Sequence, residues 1–369
     1  MKAFVKRLLG PLYYHQPGFT WDVESWLPDH PGAGRVDQVI TERGAVPAFP
    51  APVAGSRLSP PLALSAPVGT FRRYLATVPQ ARINSPFGYT IMPGGAFLIQ
   101  PAWHQDSFLK HPAYLKRWQR RSVFMPGTWF NAILFHAASY YHWMCDVLPR
   151  FHQILDRLPP ETRFIVPGTM TGWQWESLSA IGVDRSRCVS YPGDRPWVLE
   201  RLIYAPPAAM TGDHEPAAMT WVRDALCAHF QAPAGPAAGP NRIYVTRQSS
   251  ESRHIVNEKD LFPILERFQY RVVMADLLPF AEQVKLFSTA THLVAPHGGG
   301  ITNLTWTPRG CHLLELFNPK TIDRRCYWSL AHTLGHVPKY LVGEARGGEA
   351  NSPYQLDPVM FEQGLAANE

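Results

Sequence analysis

His142 and Asp146 stand four residues apart in TWFNAILFHAASYYHWMCDVLPRFHQIL, where Tyr141, Met144, Val147, Leu148 and Phe151 recur at helical spacing. On a helix the two share a face. Such a pair can deprotonate a hydroxyl, either as an imidazole base with an orienting carboxylate or through Asp146 acting alone. The same spacing also describes a structural histidine satisfied by a packed aspartate. Pro149 marks a kink or a helix boundary, and Arg150, one turn on, is placed to orient an acceptor or a phosphate.

A second set lies in the C-terminal half. Arg247 follows the strand-like NRIYVTRQ, and Arg253 lies six residues further on. His297, Gly298, Gly299 and Gly300 form a turn between a strand and a helix, Asn303 sits one turn into that helix, and Glu315 falls near the end of the strand CHLLELF. Bare backbone N–H groups at a helix start, with cations from a second loop, suit an anion such as a nucleotide diphosphate. The alternatives are two solvated arginines, a plain tight turn capped by His297, and a surface carboxylate at a strand end. Asn257 and Glu258 read as helix-start residues with a structural task.

The elements that must position these residues alternate. After the proline–glycine stretch QAPAGPAAGPN, strands are predicted at Arg242–Thr246, Arg271–Met274, His292–Ala295, Leu313–Phe317 and Lys339–Val342. Helices are predicted at Glu258–Phe268, Phe280–Thr289, near Gly300 and over 321–334. Repeated βα units with short loops imply a mostly parallel sheet. Upstream, RFIVPG, WQWESLSAIG, Cys188–Tyr191 and WVLERLIYAPP read as strand, helix, strand, strand. The expected organisation is an N-terminal domain over 1–235 carrying a proline-rich arm at about 45–70, a C-terminal domain over 241–345, and a tail over 346–369 with one short helical stretch and frayed ends.

The 369 residues suffice for two domains, and 46% hydrophobic residues supply the cores. A charge of +6 fits a phosphorylated substrate or an anionic surface and does not indicate nucleic acid. Five scattered cysteines without a CxxC pair argue for reduced thiols and against a zinc site. No apolar run is long enough for a membrane span, while the basic, apolar residues 1–14 suit either an ordinary first helix or contact with a membrane surface. There is no DxD pair and no HxH or HExxH spacing, so neither a metal nor another cofactor is expected.

Three stretches resemble glycosyltransferase family 61. YVTRQSSESRHIVNEKDL and LPFAEQVKLFSTATHLVAPHGGGITNLTWTPRGCHLLELF look like its catalytic region, and YYHWMCDVLPR looks like its N-terminal signature. The resemblance covers about half the chain, with the blocks in the family's order. One departure is Gly299, where the family usually carries alanine. Taken with the βα alternation, the resemblance implies a GT-B-like α/β fold, two Rossmann-like domains facing a central cleft. The C-terminal domain would bind a nucleotide-sugar donor, UDP-linked, through Arg247, Arg253, His297, Gly298, Gly299, Gly300 and Asn303, with Glu315 on the ribose. The N-terminal domain would hold a glycan or lipid-linked glycan acceptor, with His142 and Asp146 catalytic. Inversion at the sugar and a cytoplasmic role in capsule or exopolysaccharide synthesis, at the inner membrane face, follow from the resemblance alone. The rival readings are a nucleotide-sugar-binding protein without turnover, a dinucleotide oxidoreductase, disfavoured by the lack of GxGxxG, and a hydrolase, for which no nucleophile or metal is visible.

Overall fold

A computed structural model describes residues 19–42, 44, 49–60, 62, 69–100, 121–236, 239–248, 250 and 252–369. The expected surface-binding stretch 1–14, parts of the proline-rich arm and of the hinge, and residues 249 and 251 lie outside the described residues. The chain divides into two compact units: Met1–Gly44 with Thr70–Met210, and Ala45–Gly69 with Thr211–Glu369.

Among the described residues, the first unit holds one ten-stranded sheet. Its strands are β1 (Phe19–Thr20), β2 (Arg35–Thr41), β3 (Arg73–Pro79), β4 (Arg82–Asn84), β5 (Tyr89–Ile91), β6 (Phe97–Leu98), β7 (Val123–Asn131), β8 (Arg163–Pro167), β9 (Cys188–Tyr191) and β10 (Trp197–Tyr204). The order is β1-β6-β5-β4-β10-β7-β8-β9, with β3 joining β10 to β2. The block β10-β7-β8-β9 is parallel, and its strands β7 and β8 carry buried aromatic and branched residues such as Phe130, Phe164, Ile165 and Val166. Helix α1 (Gly172–Ala180) joins β8 to β9, held by a capping box between Thr171 and Gln174. The remaining strands pair antiparallel apart from the short β1–β6 contact. This unit is therefore half Rossmann-like and half a set of hairpins, where a purely Rossmann-like domain was expected.

The block around His142 is not one kinked helix. Tyr140–His142 is α-helical, Trp143–Val147 is a π turn and Leu148–Phe151 is a 3₁₀ turn. Pro149 has no N–H to give to the carbonyl four residues back, so the ladder widens before it and tightens after it. Leu148 donates to the Trp143 carbonyl, five residues back.

In the second unit, β11 (Arg242–Val245), β12 (Arg271–Val273), β13 (His292–Pro296), β14 (His312–Phe317) and β15 (Val337–Val342) form an all-parallel sheet in the order β12-β11-β13-β14-β15. Each lies within two residues of its predicted range. The chain passes from β11 to β12 on one side, then returns to β13 on the other, so the topological switch falls between β11 and β13. Helices α2 (Pro216–His229), α3 (Glu258–Arg267), α4 (Phe280–Phe287), α5 (Cys326–Leu334) and α6 (Pro358–Ala367) surround this sheet.

Three boundaries differ from expectation. Helix α2 packs on α4, α5 and the 3₁₀ segment Gly299–Trp306, and so belongs to the second unit rather than the first. The proline-rich arm, expected in the first domain, docks on the second sheet: Tyr340 N donates to Val53 O at 3.1 Å, Gly55 N to Tyr340 O at 2.8 Å and Val342 N to Ser59 Oγ at 3.0 Å, which covers the open edge of β15. A side chain at Gly55 would meet Leu314 Cδ1 at 2.9 Å. The expected tail is core. Asp357 caps α6 through Met360 N, Pro358 starts it, and Met360, Phe361 and Leu365 are buried with Leu261, Leu265 and Leu341. Among the described residues, no helix is long and apolar enough to cross a membrane, and no cysteine is in a disulfide.

Candidate functional site

In the first unit, the crossover leaving β7 carries His142 and Asp146. His142 Nδ1 lies 2.7 Å from Asp146 Oδ2, with side chains 23% and 2% exposed. Paired with a carboxylate, Nδ1 carries the proton and Nε2 is left as the acceptor. Only the histidine presents an edge to solvent, so a reading in which Asp146 alone takes the proton does not match its burial. His136, held at φ 63°, stacks on His142 at 5.2 Å. Trp143 Nε1 donates to Ser177 Oγ at 2.8 Å, which anchors the π turn to α1. Arg150, expected at the ligand, points inward. It donates to Asn131 O and Ala205 O at 2.9 Å each and lies over the Phe130 ring, and burial lowers its pKa to about 10.

In the second unit, the loops after β11 and β13 meet at the switch point. The Arg247 guanidinium lies directly on Gly298: a Cβ there would come within 2.8 Å of Arg247 Cζ and closer to Nη1. Arg247 Nη2 donates to Ser250 Oγ at 3.0 Å, while its Nε and that of Arg253 are buried without a partner. Both arginines therefore hold unspent donors. Arg253 is half-buried in a left-handed conformation at φ 57°, a conformation that functional loops keep at some cost. Its pKa is lowered by burial first and then by repulsion from Arg247 and Arg324.

The three glycines have separate reasons. Gly298 makes room for Arg247, and Gly300 lets the 3₁₀ segment approach β11, since a Cβ would sit 2.8 Å from Val245 Cγ1. At Gly299 a Cβ meets nothing within 4 Å, so alanine fits there without contact.

Two expected ligand contacts are withdrawn. Glu315 is buried in the middle of the sheet, and a carboxylate 1% exposed cannot meet a ribose. Its Oε1 lies 2.5 Å from His297 Nδ1. Burial holds Glu315 well above the usual carboxylate range, and burial with the charges of Arg253, Arg324 and Arg247 holds His297 well below its own. The pair is accordingly a neutral acid donating to a neutral imidazole rather than an ion pair. His297 also stacks on Phe317 and meets the edge of Tyr327, making a fixed floor beneath Gly298. Asn303 is likewise internal, donating to Gln283 Oε1 and Gly300 O and accepting from Trp306 Nε1.

Asn257 and Glu258 are structural by a different route from helix capping. Asn257 exchanges two hydrogen bonds with the Leu356 backbone. Glu258 accepts from Tyr244 Oη at 2.6 Å and Thr246 Oγ1 at 2.8 Å, tying down the strand end that launches Arg247. Arg324, which sequence reasoning passed over, lies beyond the motifs; its only signal was position after the strand that follows the glycine turn. Among the described residues, no group of three or more His, Cys, Asp or Glu is arranged to hold a metal.

These features define an α/β protein whose anion-receptive groups cluster at the carboxyl edge of a parallel sheet. Residues 140–314 match the family described as Glycosyltransferase 61. Among curated proteins, it is similar to EGF domain-specific O-linked N-acetylglucosamine transferases. The Rattus norvegicus protein is 32% identical over 106 residues, 27% of this chain and 20% of the relative. The Drosophila melanogaster protein is 30% identical over 109 residues, 29% and 21%, and that of Xenopus laevis 33% over 99 residues, 26% and 18%. The match thus spans about a fifth of the length of these relatives. Among solved structures, the bacterial iron-containing dodecameric glycosyltransferase TibC from enterotoxigenic E. coli H10407 aligns over 85% of this chain and 86% of its own, at 12% identity. Its TM-score of 0.27 is too low to carry an argument.

Proposed function

We propose that this chain is an inverting glycosyltransferase that moves a sugar from a nucleoside-diphosphate donor, UDP-linked, to a hydroxyl of a glycan. The observation that carries this reading is the meeting of Arg247 and the bare Gly298 backbone at the switch point of the parallel sheet, within a segment of family 61. Ligands of open α/β sheets bind at that position. In the reaction, the acceptor oxygen attacks the anomeric carbon as its proton passes to His142 Nε2, with Asp146 holding the ring. The bond from that carbon to the phosphate oxygen breaks, and its electron pair leaves with the diphosphate. Arg247 and Arg253 neutralise the departing charge without a metal. The route served is surface-polysaccharide synthesis at the cytoplasmic face of the membrane. Catalysis is preferred over donor binding alone because the His142–Asp146 pair has the geometry of a proton acceptor and its orienting group.

The test is a panel of nucleotide sugars screened by thermal shift, followed by nucleotide release in the presence of glycan acceptors. UDP-N-acetylglucosamine belongs first in the panel, because the curated relatives are named for that sugar. Stabilisation by one donor and release of its nucleotide are expected. Stabilisation without release leaves a binding protein, and no stabilisation by any donor overturns the reading. Activity should persist in excess chelator; a strict requirement for manganese overturns metal independence.

A further inference from the structure

We infer that Arg324 is a third cation of the phosphate site, and that with Arg247 and Arg253 it fits the site to a diphosphate rather than a single phosphate. This rests on the donor reading above. Strand β14 is the neighbour of β13, so the turn after β14 emerges beside the turn holding His297 and Gly298. That turn is stiff. Asn318 Oδ1 accepts from Lys320 N at 2.8 Å, Thr321 N and Oγ1 both donate to Asn318 O at 2.9 Å, and Arg324 N donates to Thr321 O at 3.2 Å.

Two consecutive residues then fasten the turns bearing Arg324 and Arg253 to one strap. Asn318 Nδ2 donates to Ser352 O at 2.7 Å, and Arg253 N donates to Asn351 O at 3.0 Å. The charge of Arg324 bears on both Arg253 and His297, alongside that of Arg247. The adjacent arginine makes the contrast. Arg325 is committed to Asp213, with Nε and Nη2 at 2.9 and 2.8 Å from Oδ1. Arg324 is exposed, and among the described residues no carboxylate, including its neighbour Asp323, comes within ion-pair distance of it, of Arg247 or of Arg253. Three guanidiniums, two from the loop after β11 and one from the turn after β14, the strands on either side of β13, repel one another until an anion enters. Two of them match the oxygens of one phosphate in forked pairs, and the third reaches a second phosphate.

The experiment titrates the full chain and its R324A and R324K variants with UDP, UMP, inorganic pyrophosphate and inorganic phosphate, by calorimetry. Wild-type protein should bind UDP at least about tenfold more tightly than UMP, as one charge-assisted contact contributes. R324A should lose that preference while keeping UMP affinity, with R324K recovering part of it, and pyrophosphate should displace UDP from wild type far better than from R324A. Equal UDP affinity in wild type and R324A overturns the assignment of Arg324 alone. An equal loss for UMP and UDP overturns the diphosphate assignment. A wild-type protein that binds neither UDP nor pyrophosphate overturns the donor reading itself, and this proposal with it.

Discussion

At the scale of single residues, the dyad and the glycine turn make separable demands. Asp146→Asn keeps the side chain's shape but removes the acceptor that fixes the Nδ1–H tautomer. Turnover should fall by about 10²–10⁴-fold while UDP affinity stays within error; normal turnover in steady-state kinetics clears the pair from catalysis. Gly299→Ala should leave stability and donor affinity unchanged or slightly improved, because its methyl meets nothing within 4 Å. Gly298→Ala should displace Arg247 and weaken UDP at least about tenfold, the loss of one charge-assisted contact. Equal behaviour of the two alanine variants in titrations refutes the distinction. Glu315→Gln offers another contrast, since the amide N–H can replace the acid O–H toward His297 Nδ1. The raised Glu315 pKa means that its contribution is complete below the ordinary carboxylate range and lost as pH rises through its folded value. Urea midpoints for the Gln variant should therefore decline less toward alkaline pH than those of wild type.

At the scale of elements, the second sheet was readable because each strand is a short apolar run bounded by turn residues, and all five lie where that pattern puts them. The dyad was readable because i,i+4 spacing brings side chains together even where the helix opens into a π turn. Other features were not readable. An acid near the end of an apolar strand looks the same in sequence whether it faces solvent or, as Glu315 does, lies beneath a histidine. Asn303 reads as a ligand contact until Trp306 and Gln283 are seen to take its amide. The role of Pro149 as an organiser of a π-to-3₁₀ change depends on which carbonyl goes without a donor. Helix α6 carried its signal, an Asp-Pro start before Met360 and Phe361, and a short helix was expected there, but its packing into the core was not. Phe361→Ala should cost about 3–5 kcal/mol, as for other buried phenylalanines, measured by urea unfolding. A loss below about 1 kcal/mol would return the segment to the status of a tail.

At the scale of the whole molecule, acid should unfold the second unit earlier than its carboxylates alone require. Burial lowers His214 to about 3 and His336 to about 4, with smaller contributions from nearby arginines. Because the folded state prefers both rings neutral, their contribution is complete above the ordinary histidine pKa near 6.5 and is lost as pH falls toward 4 and 3. Denaturation midpoints should drop between pH 6.5 and 4.5, and His336→Gln should flatten that slope; an unchanged slope excludes His336 as a cause. The residues stitched along β15 come from far away in the chain, with Ser59 and Val342 separated by 283 positions. On a ribosome, the ribbon around Val53–Ser59 is made early and waits for almost the whole polypeptide before its docking edge exists. A fragment beginning at Thr211 would leave that edge bare, so it should self-associate until a peptide spanning 49–62 is supplied in trans.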